Sequence, residues 1–146
     1  MITNHVSGTR VDEVAEGVYR ISTPVTELGG FTFNQYLVTG EAPLLFHTGP
    51  RRMFPLVREA VAAVLPVEWL RYVGLSHFED DECGALNEFL AAAPHAMPLC
   101  GRIAAMVSVD GFADRKSRAL ADGESLDLGG HVVRAKVVHE RLGGRC

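Results

Sequence analysis

Residues 70–84 have the sequence LRYVGLSHFEDDECG, and this stretch decides the fold. Residues 70–75 form a short, mostly apolar segment, which is typical of a buried strand. An acidic segment follows, after which the apolar residues Leu86, Phe89 and Leu90 recur at helical spacing. In open α/β sheets, ligands bind in loops of this kind, at the carboxyl end of a strand. The stretch therefore predicts an α/β fold with a functional site between the strand and the helix.

Strands and helices are predicted on both sides of this loop. Three strands precede it, at residues 17–22, 31–38 and 43–47, separated by a loop at 23–30 and a turn at 39–42. Helices are predicted at residues 51–65 and 83–93, each followed by a proline, with a shorter one at 102–107. Further strands are predicted at residues 97–100 and within 118–138. The order favours one α/β domain that opens with an antiparallel meander.

Composition narrows the class of protein. The 146 residues are 47% hydrophobic and carry a net charge of −4, which suits one domain with a core and argues against a nucleic-acid partner. No apolar stretch is long enough to span a bilayer, and no secretory signal is apparent. Cys83, Cys100 and Cys146 form an odd, unpatterned set, which is typical of a reducing compartment. We therefore expect a cytoplasmic protein without a membrane partner.

The loop contains a set of metal-ligand types at close spacing. His77, Glu79 and Asp81 supply one imidazole and two carboxylates within five residues, a set that suits iron or manganese, and also zinc. The alternative is a solvated acidic cap, because carboxylates in the first turn of a helix complement its dipole. From the residues alone, both interpretations remain open.

The spacing His77-x-Glu79-x-Asp81 resembles the HxExD signature of flavodiiron-type and oxygen-binding di-iron proteins in the metallo-β-lactamase superfamily. Hydrolases of that superfamily usually have a second histidine where Glu79 stands. Three longer stretches are similar to the same family: GFTFNQYLV (30–38), PLLFHTGPR (43–51) and SHFEDDECGALNEFL (76–90). The resemblance covers residues 11–134. It implies a metallo-β-lactamase-like αββα sandwich, represented mainly by its N-terminal part.

The resemblance also implies roles for single residues. His77 and Glu79 would bind one iron and Asp81 the other, in a di-iron centre that reduces or senses O2 or NO; zinc and manganese are alternative metals. The chain departs from the family at Glu82, where many members carry a histidine; a carboxylate there can still bind a metal or form a hydrogen bond with a metal-bound water. His47 stands where many superfamily members have an aspartate that supports the site from behind. A supporting role and a simple hydrogen-bonded histidine at a strand end both remain open for His47.

The family has further ligands downstream: a histidine, a bridging aspartate and a final histidine. The last aspartate of this sequence is Asp127, and His139 lies near the expected histidine without its usual proline-rich context. We therefore expect an incomplete metal site in a truncated domain (1–146), with His139 an exposed histidine. Residues 1–10 and 139–146 are expected to be flexible ends.

Three functions from different classes remain open. The first is a di-iron oxidoreductase or oxygen-binding domain; because no FMN-binding flavodoxin segment is recognisable, its electrons would come from a partner, and the chain alone is expected to lack reductase activity. The second is a zinc-dependent hydrolase, in which metal-bound water attacks a carbonyl group, although Glu79 argues against it. The third is a non-catalytic remnant or interaction module.

Some residues have competing interpretations. Cys83 is favoured as a packing residue at a helix start over a nucleophile, because no histidine base is identifiable beside it. Aromatic residues of the second predicted strand are favoured as packing residues over a channel lining: Phe31, Phe33 and Tyr36. Without a second half of the sandwich, an apolar sheet face is expected to be exposed and to cause homodimer formation or self-association. The expected face consists of Phe31, Phe33, Leu37, Leu44, Phe46 and Val73.

Overall fold

The computed structural model describes residues 1–137, and most of its strands belong to one eight-stranded sheet whose spatial order follows the sequence. The strands are β1 (Ile2–Asn4), β2 (Thr9–Ala15), β3 (Val18–Val25), β4 (Phe31–Val38), β5 (Leu44–Phe46), β6 (Tyr72–Gly74), β7 (Met97–Gly101) and β8 (Arg118–Leu120). Strands β1 to β5 are antiparallel, whereas β5 to β8 pair in parallel. The predicted meander and the mixed α/β order are confirmed.

Helices cover one face of this sheet. They are α1 (Phe54–Ala62), α2 (Asp80–Cys83), α3 (Leu86–Ala92), α4 (Arg102–Ala104) and α5 (Asp110–Phe112), with a π-helical segment (Ala105–Val109) between the last two. The buried side chains of α1 and α3 pack on alternate residues of the strands, including Ile21, Leu37 and Val73. No helix within residues 1–137 has the length and apolarity needed to cross a bilayer.

The predicted helix at residues 83–93 is wrong in one respect, because the structure divides it into α2 and α3. The division lies at Gly84, whose backbone packs closely on the preceding turn. A Cβ atom placed there would lie 2.5 Å from the carbonyl oxygen of Asp80 and 2.9 Å from the amide nitrogen of Arg51. The loop is therefore followed by a single turn of helix, and the chain then changes direction.

Residues 1–10, expected to be flexible, instead contribute β1 and the start of β2 to the sheet. The amino terminus donates a hydrogen bond to the carbonyl oxygen of Val11 at 3.0 Å. The hydroxyl groups of Thr9 and Thr23 meet at 2.9 Å in the interior. These contacts join β1 and β2 to the meander and are made largely by polar residues, so no apolar alternation revealed them.

The opposite face of the sheet carries a second, smaller core. A hairpin of β9 (Ser125–Asp127) and β10 (Val132–Arg134) lies over the parallel part of the sheet. The buried residues of this core are Leu44, Leu99, Leu120 and Leu128. On the antiparallel part, the neighbouring positions on the same face include Arg10, Asp12 and Arg20, which are polar.

This arrangement corrects the expected open apolar face. Leu37 and Val73 are buried under the helices, Leu44 is buried under the hairpin, and Phe33 packs against the main core. Of the expected face, Phe31 is exposed and Phe46 is half-buried. Self-association stays a prediction, but the apolar surface that motivated it is smaller than the sequence indicated.

His131 joins the β9–β10 hairpin to the eight-stranded sheet through two hydrogen bonds. Its Nδ1 lies 2.9 Å from the carbonyl oxygen of Thr39, and its Nε2 lies 2.7 Å from that of Glu16. Only the imidazolium form can donate to two carbonyl groups at once, and these two hydrogen bonds raise the pKa of His131. Gly17 makes room for the ring, since a Cβ atom there would lie 2.6 Å from its Cε1.

We expect His131 to make the stability of the chain depend on pH. A pKa raised in the folded state means that the stabilisation is complete below the ordinary histidine pKa and is lost as the pH rises through the folded value. The free energy of unfolding by urea, compared between about pH 5.5 and about pH 8.5, should fall more in the wild type than in His131→Ala. The exposed His95→Ala variant is the control and should behave like the wild type; an identical pH dependence in all three would contradict this role.

Candidate metal centre

Two loops meet at the carboxyl ends of β5 and β6. The first contains His47, Thr48 and Gly49, and the second runs from residue 75 to α2. The amide groups of Thr48 and Gly49 donate to the carbonyl oxygens of Glu82 and Asp81, at 2.8 and 3.1 Å. The Thr48 hydroxyl accepts a hydrogen bond from the amide of Ala85 at 3.0 Å. The first loop therefore fixes α2 against the edge of the sheet.

Glu82 is the buried acid at the centre of this arrangement. Its Oε1 accepts hydrogen bonds from the amides of Ser76 and His77, at 2.9 and 2.7 Å, and from the Ser76 hydroxyl at 2.9 Å. Burial raises the pKa of Glu82, but the hydrogen bonds from His77 and Ser76 outweigh burial and lower it below the usual glutamate value. Glu82 is therefore held as a carboxylate.

His77, Glu79 and Glu82 bring their ligand atoms together. One such atom from each residue lies within 4.8 Å of the others. His77 Nδ1 is 3.3 Å from Glu82 Oε2 and 3.9 Å from Glu79 Oε1. The cluster contains His77 and Glu79, the two residues predicted to bind one ion, together with Glu82, which was not predicted as a ligand.

Asp81 is exposed, and its side chain is not part of this cluster within residues 1–137. Its backbone carbonyl is turned towards Gly49, as described above. Its carboxylate is close enough to His47 to be one of the charges that act on that ring. A role for Asp81 at a second metal ion stays a prediction.

His47 lies beside Glu82, with its Nε2 3.2 Å from Glu82 Oε1. Its backbone has a φ of 71°, in the left-handed region that residues other than glycine rarely adopt. The ring stacks on Phe46 with centroids 4.3 Å apart. Burial lowers the pKa of His47, although the charges of Glu82 and Asp81 partly offset this effect. The structure thus places His47 in contact with Glu82, the buried member of the cluster.

The donor set fits one divalent transition metal ion. An imidazole nitrogen and carboxylate oxygens are the ligand types that iron, manganese and zinc share. The clustered donor atoms within residues 1–137 lie within 4.8 Å of one another, so they suit a single ion. His139 lies outside the described residues.

An open cleft of about 580 Å³ adjoins the cluster. Its lining includes Glu79, Arg51, Phe78 and Phe112, and the two phenylalanine rings pack edge to face with centroids 5.3 Å apart. The aromatic residues considered for a channel, Phe31, Phe33 and Tyr36, do not line this cleft. The cleft gives a small molecule access to the exposed side of Glu79.

Solved structures show which fold this is. Rubredoxin oxygen:oxidoreductase from Desulfovibrio gigas superposes with a TM-score of 0.73 at 23% identity, over 86% of this chain and 34% of that one. A metallo-β-lactamase from Cronobacter sakazakii superposes with a TM-score of 0.68 at 18% identity, over 87% of this chain and 53% of that one. The predicted metallo-β-lactamase-like fold is confirmed.

Curated relatives give the family. Diflavin flavoprotein A 1 from Nostoc sp. strain PCC 7120 is 32% identical over 107 residues, which are 71% of this chain and 18% of that protein. The relatives of this chain are flavodiiron proteins, and its fold is that of their metallo-β-lactamase-like domain. Anaerobic nitric oxide reductase flavorubredoxin from Pectobacterium atrosepticum is 26% identical over 110 residues, 73% of this chain and 21% of that protein. No family model matches the sequence.

The chain thus spans about a fifth of the length of these curated relatives. The resemblance noted in the sequence is confirmed at the level of family and fold. The sequence did not identify Glu82 as the acid nearest His77. A signal was present, because Glu82 is the third residue of α2, where a glutamate often turns back to bind backbone amides that precede the helix.

Cys83 is confirmed as a packing residue. Its side chain is buried in the main core, and the thiol donates to the carbonyl oxygen of Glu79 at 3.3 Å. Burial is the main cause that raises its pKa, to about 11, and the neighbouring acids add to the effect. A thiol in this state is a poor nucleophile at neutral pH.

We expect Cys83 to react slowly with iodoacetamide. With the thiolate so disfavoured, alkylation at about pH 8 should be on the order of 100-fold slower in the native protein than in the urea-unfolded chain. Mass spectrometry of the peptide that contains Cys83 gives both rates, and the unfolded chain is the internal control. Equal rates in the two states would contradict the packing role and restore the nucleophile interpretation.

Proposed function

We propose that this chain binds a redox-active transition metal ion through His77 and Glu79, as part of a flavodiiron-type oxidoreductase or oxygen-binding domain. The observation that carries the proposal is the convergence of His77, Glu79 and Glu82 within 4.8 Å at the carboxyl end of β6. Acidic residues often cluster without a metal, but this cluster includes an imidazole and belongs to a chain whose relatives are flavodiiron proteins.

Iron is the metal we propose, with manganese or zinc as substitutes. The oxygen-rich donor set supports a borderline-hard ion over a thiolate-bound zinc. Cys83 and Cys100 are buried free thiols, and neither is part of the cluster. Free thiols are also consistent with the cytoplasmic location expected from the sequence. In a di-iron centre, Asp81 would serve the second ion, on the side where His47 lies.

O2 or NO is the small molecule that we propose for the intact domain. The name of one relative states nitric oxide reductase activity, and that of one structural neighbour states oxygen:oxidoreductase activity. A bound iron centre would supply the electron transfer to either gas. In this chain, Glu79 lies between the cluster and the cleft, and Phe78 and Phe112 provide an apolar wall beside it. Electrons would come from a flavin-containing partner or domain.

Metal content in equilibrium dialysis against ferrous iron under anaerobic conditions tests the proposal. We expect about one iron per wild-type chain and a loss of bound iron by at least about tenfold in His77→Ala and in Glu79→Ala, because each substitution removes a ligand. The matched controls are His95→Ala and Glu68→Ala, which remove an exposed histidine and an exposed glutamate elsewhere. Both should keep the wild-type stoichiometry.

The contrary results point to the other two functions. Equal iron in all five proteins would contradict the assignment of His77 and Glu79. Chelator-sensitive hydrolysis of an ester or lactam that zinc restores would favour the hydrolase. A folded chain that binds neither iron nor zinc would favour the interaction module.

A further inference from the structure

Glu82 is the third member of the cluster, and its contacts differ in kind from those of His77 and Glu79. We propose that Glu82 is a positioning residue that orients His77 and does not itself bind the metal. The proposal rests on the proposed function, in which His77 is a ligand. Of the three neighbouring side chains, His77 and Glu79 would coordinate the ion, and Glu82 would fix the orientation of His77.

The lone pairs of Glu82 Oε1 are already occupied by hydrogen bonds. It accepts the amide hydrogens of Ser76 and His77 and the hydroxyl hydrogen of Ser76, all at 2.7 to 2.9 Å, and His47 Nε2 lies 3.2 Å away. A carboxylate oxygen offers about two lone pairs. Coordination through Oε1 would compete with the hydrogen bonds from the Ser76 and His77 amides and leave these amides without their carboxylate partner.

The other carboxylate oxygen of Glu82, Oε2, lies 3.3 Å from His77 Nδ1. When Nδ1–H donates to this oxygen, the neutral imidazole has its lone pair on Nε2. Ligating histidines almost always donate their other ring N–H to a carboxylate or carbonyl group, which fixes the tautomer and the ring orientation. Glu82 therefore orients His77 so that Nε2 can bind a metal. The hydrogen bond from Nδ1–H also engages Glu82 Oε2, the oxygen that would otherwise be available to the metal.

Glu82 is also much more deeply buried than His77 and Glu79. The side chain of Glu82 is 9% exposed, whereas those of His77 and Glu79 are 71% and 59% exposed. An ion that approaches from solvent meets His77 and Glu79 first. Within residues 1–137 the Glu79 carboxylate makes no hydrogen bond, and its Oε1 lies 3.9 Å from His77 Nδ1, so it can turn towards an ion.

The Glu82→Gln variant separates the orienting role from a purely structural one. The amide oxygen of glutamine can keep the three inward hydrogen bonds from Ser76 and His77, and those donors favour oxygen over NH2 in that place. The NH2 group is then left facing His77 Nδ1, and it cannot accept a hydrogen bond from Nδ1–H. The loop is preserved, while the preference of His77 for the Nδ1–H tautomer is removed.

Glu124→Gln is the matched control. Its carboxylate also accepts a backbone amide hydrogen bond, from Ala121 at 2.9 Å, and it pairs with Arg118 at 2.7 Å. This turn lies before β9, outside the cluster. The control therefore loses a comparable carboxylate without a change at His77.

The test begins with the ¹⁵N NMR spectrum of the histidine rings in the metal-free protein, near neutral pH. We expect the Nδ1–H tautomer of His77 in the wild type and in Glu124→Gln, and a shift towards Nε2–H in Glu82→Gln. A wild-type His77 in the Nε2–H form would overturn the proposal without reference to any variant. Because this NMR measurement needs no metal, it still tests the orienting role of Glu82 if the chain fails to bind iron.

Zinc affinity, measured by competition with a chromophoric chelator, completes the test. Loss of an orienting partner should weaken Zn²⁺ binding about 10–100-fold in Glu82→Gln, with the number of protein ligands, read by X-ray absorption, unchanged. Glu124→Gln should match the wild type. A lost ligand in the zinc-loaded Glu82→Gln protein, with the His77 tautomer unaltered, would show that Glu82 coordinates and would overturn the proposal.

Discussion

The buried carboxylate of Glu82 is the constraint on which the rest of the site depends. It accepts the backbone amides of Ser76 and His77, which follow β6 and have no strand partner of their own. The carbonyl of the same residue accepts the amide of Thr48, so Glu82 also joins the loop that follows β5. One residue thus fixes the position of α2, the path of the ligand loop and the ring of His77.

His47 and Glu82, the residues at which the sequence resemblance implied other residue types, lie in contact, with 3.2 Å between Nε2 and Oε1. The hydrogen bonds from Ser76 and His77 stabilise the Glu82 carboxylate in this buried position. His47 adds a polar neighbour from the loop that follows β5.

The sequence predicted those parts of the fold that apolar spacing controls. Strand β4 and helix α1 follow directly from their patterns, and Pro66 follows the helical turns that continue from α1. The break at Gly84 was missed because it depends on a close approach of two backbone segments. Strands β1 and β2 were missed because polar residues carry their contacts. Each of these misses concerns a contact between segments, which residue types alone do not reveal.

The candidate site was predicted in the same uneven way. Spacing identified His77 and Glu79, because ligands from one loop stand close in sequence. It could not distinguish Asp81 from Glu82, since adjacent acids in a helical turn point in different directions and only the fold decides which one is buried. Burial gives Glu82 its hydrogen bonds and leaves Asp81 in solvent.

Amide hydrogen exchange at Ser76 and His77, resolved by NMR in the metal-free protein, tests this account most directly. Both amides donate to Glu82 Oε1, at 2.9 and 2.7 Å, so they should exchange much more slowly than in an unstructured peptide. In Glu82→Ala the protection should be lost at these two residues and retained at Val73, in the interior of β6. Exchange at unprotected rates in the wild type, or unchanged protection in Glu82→Ala, would contradict the central role of this carboxylate.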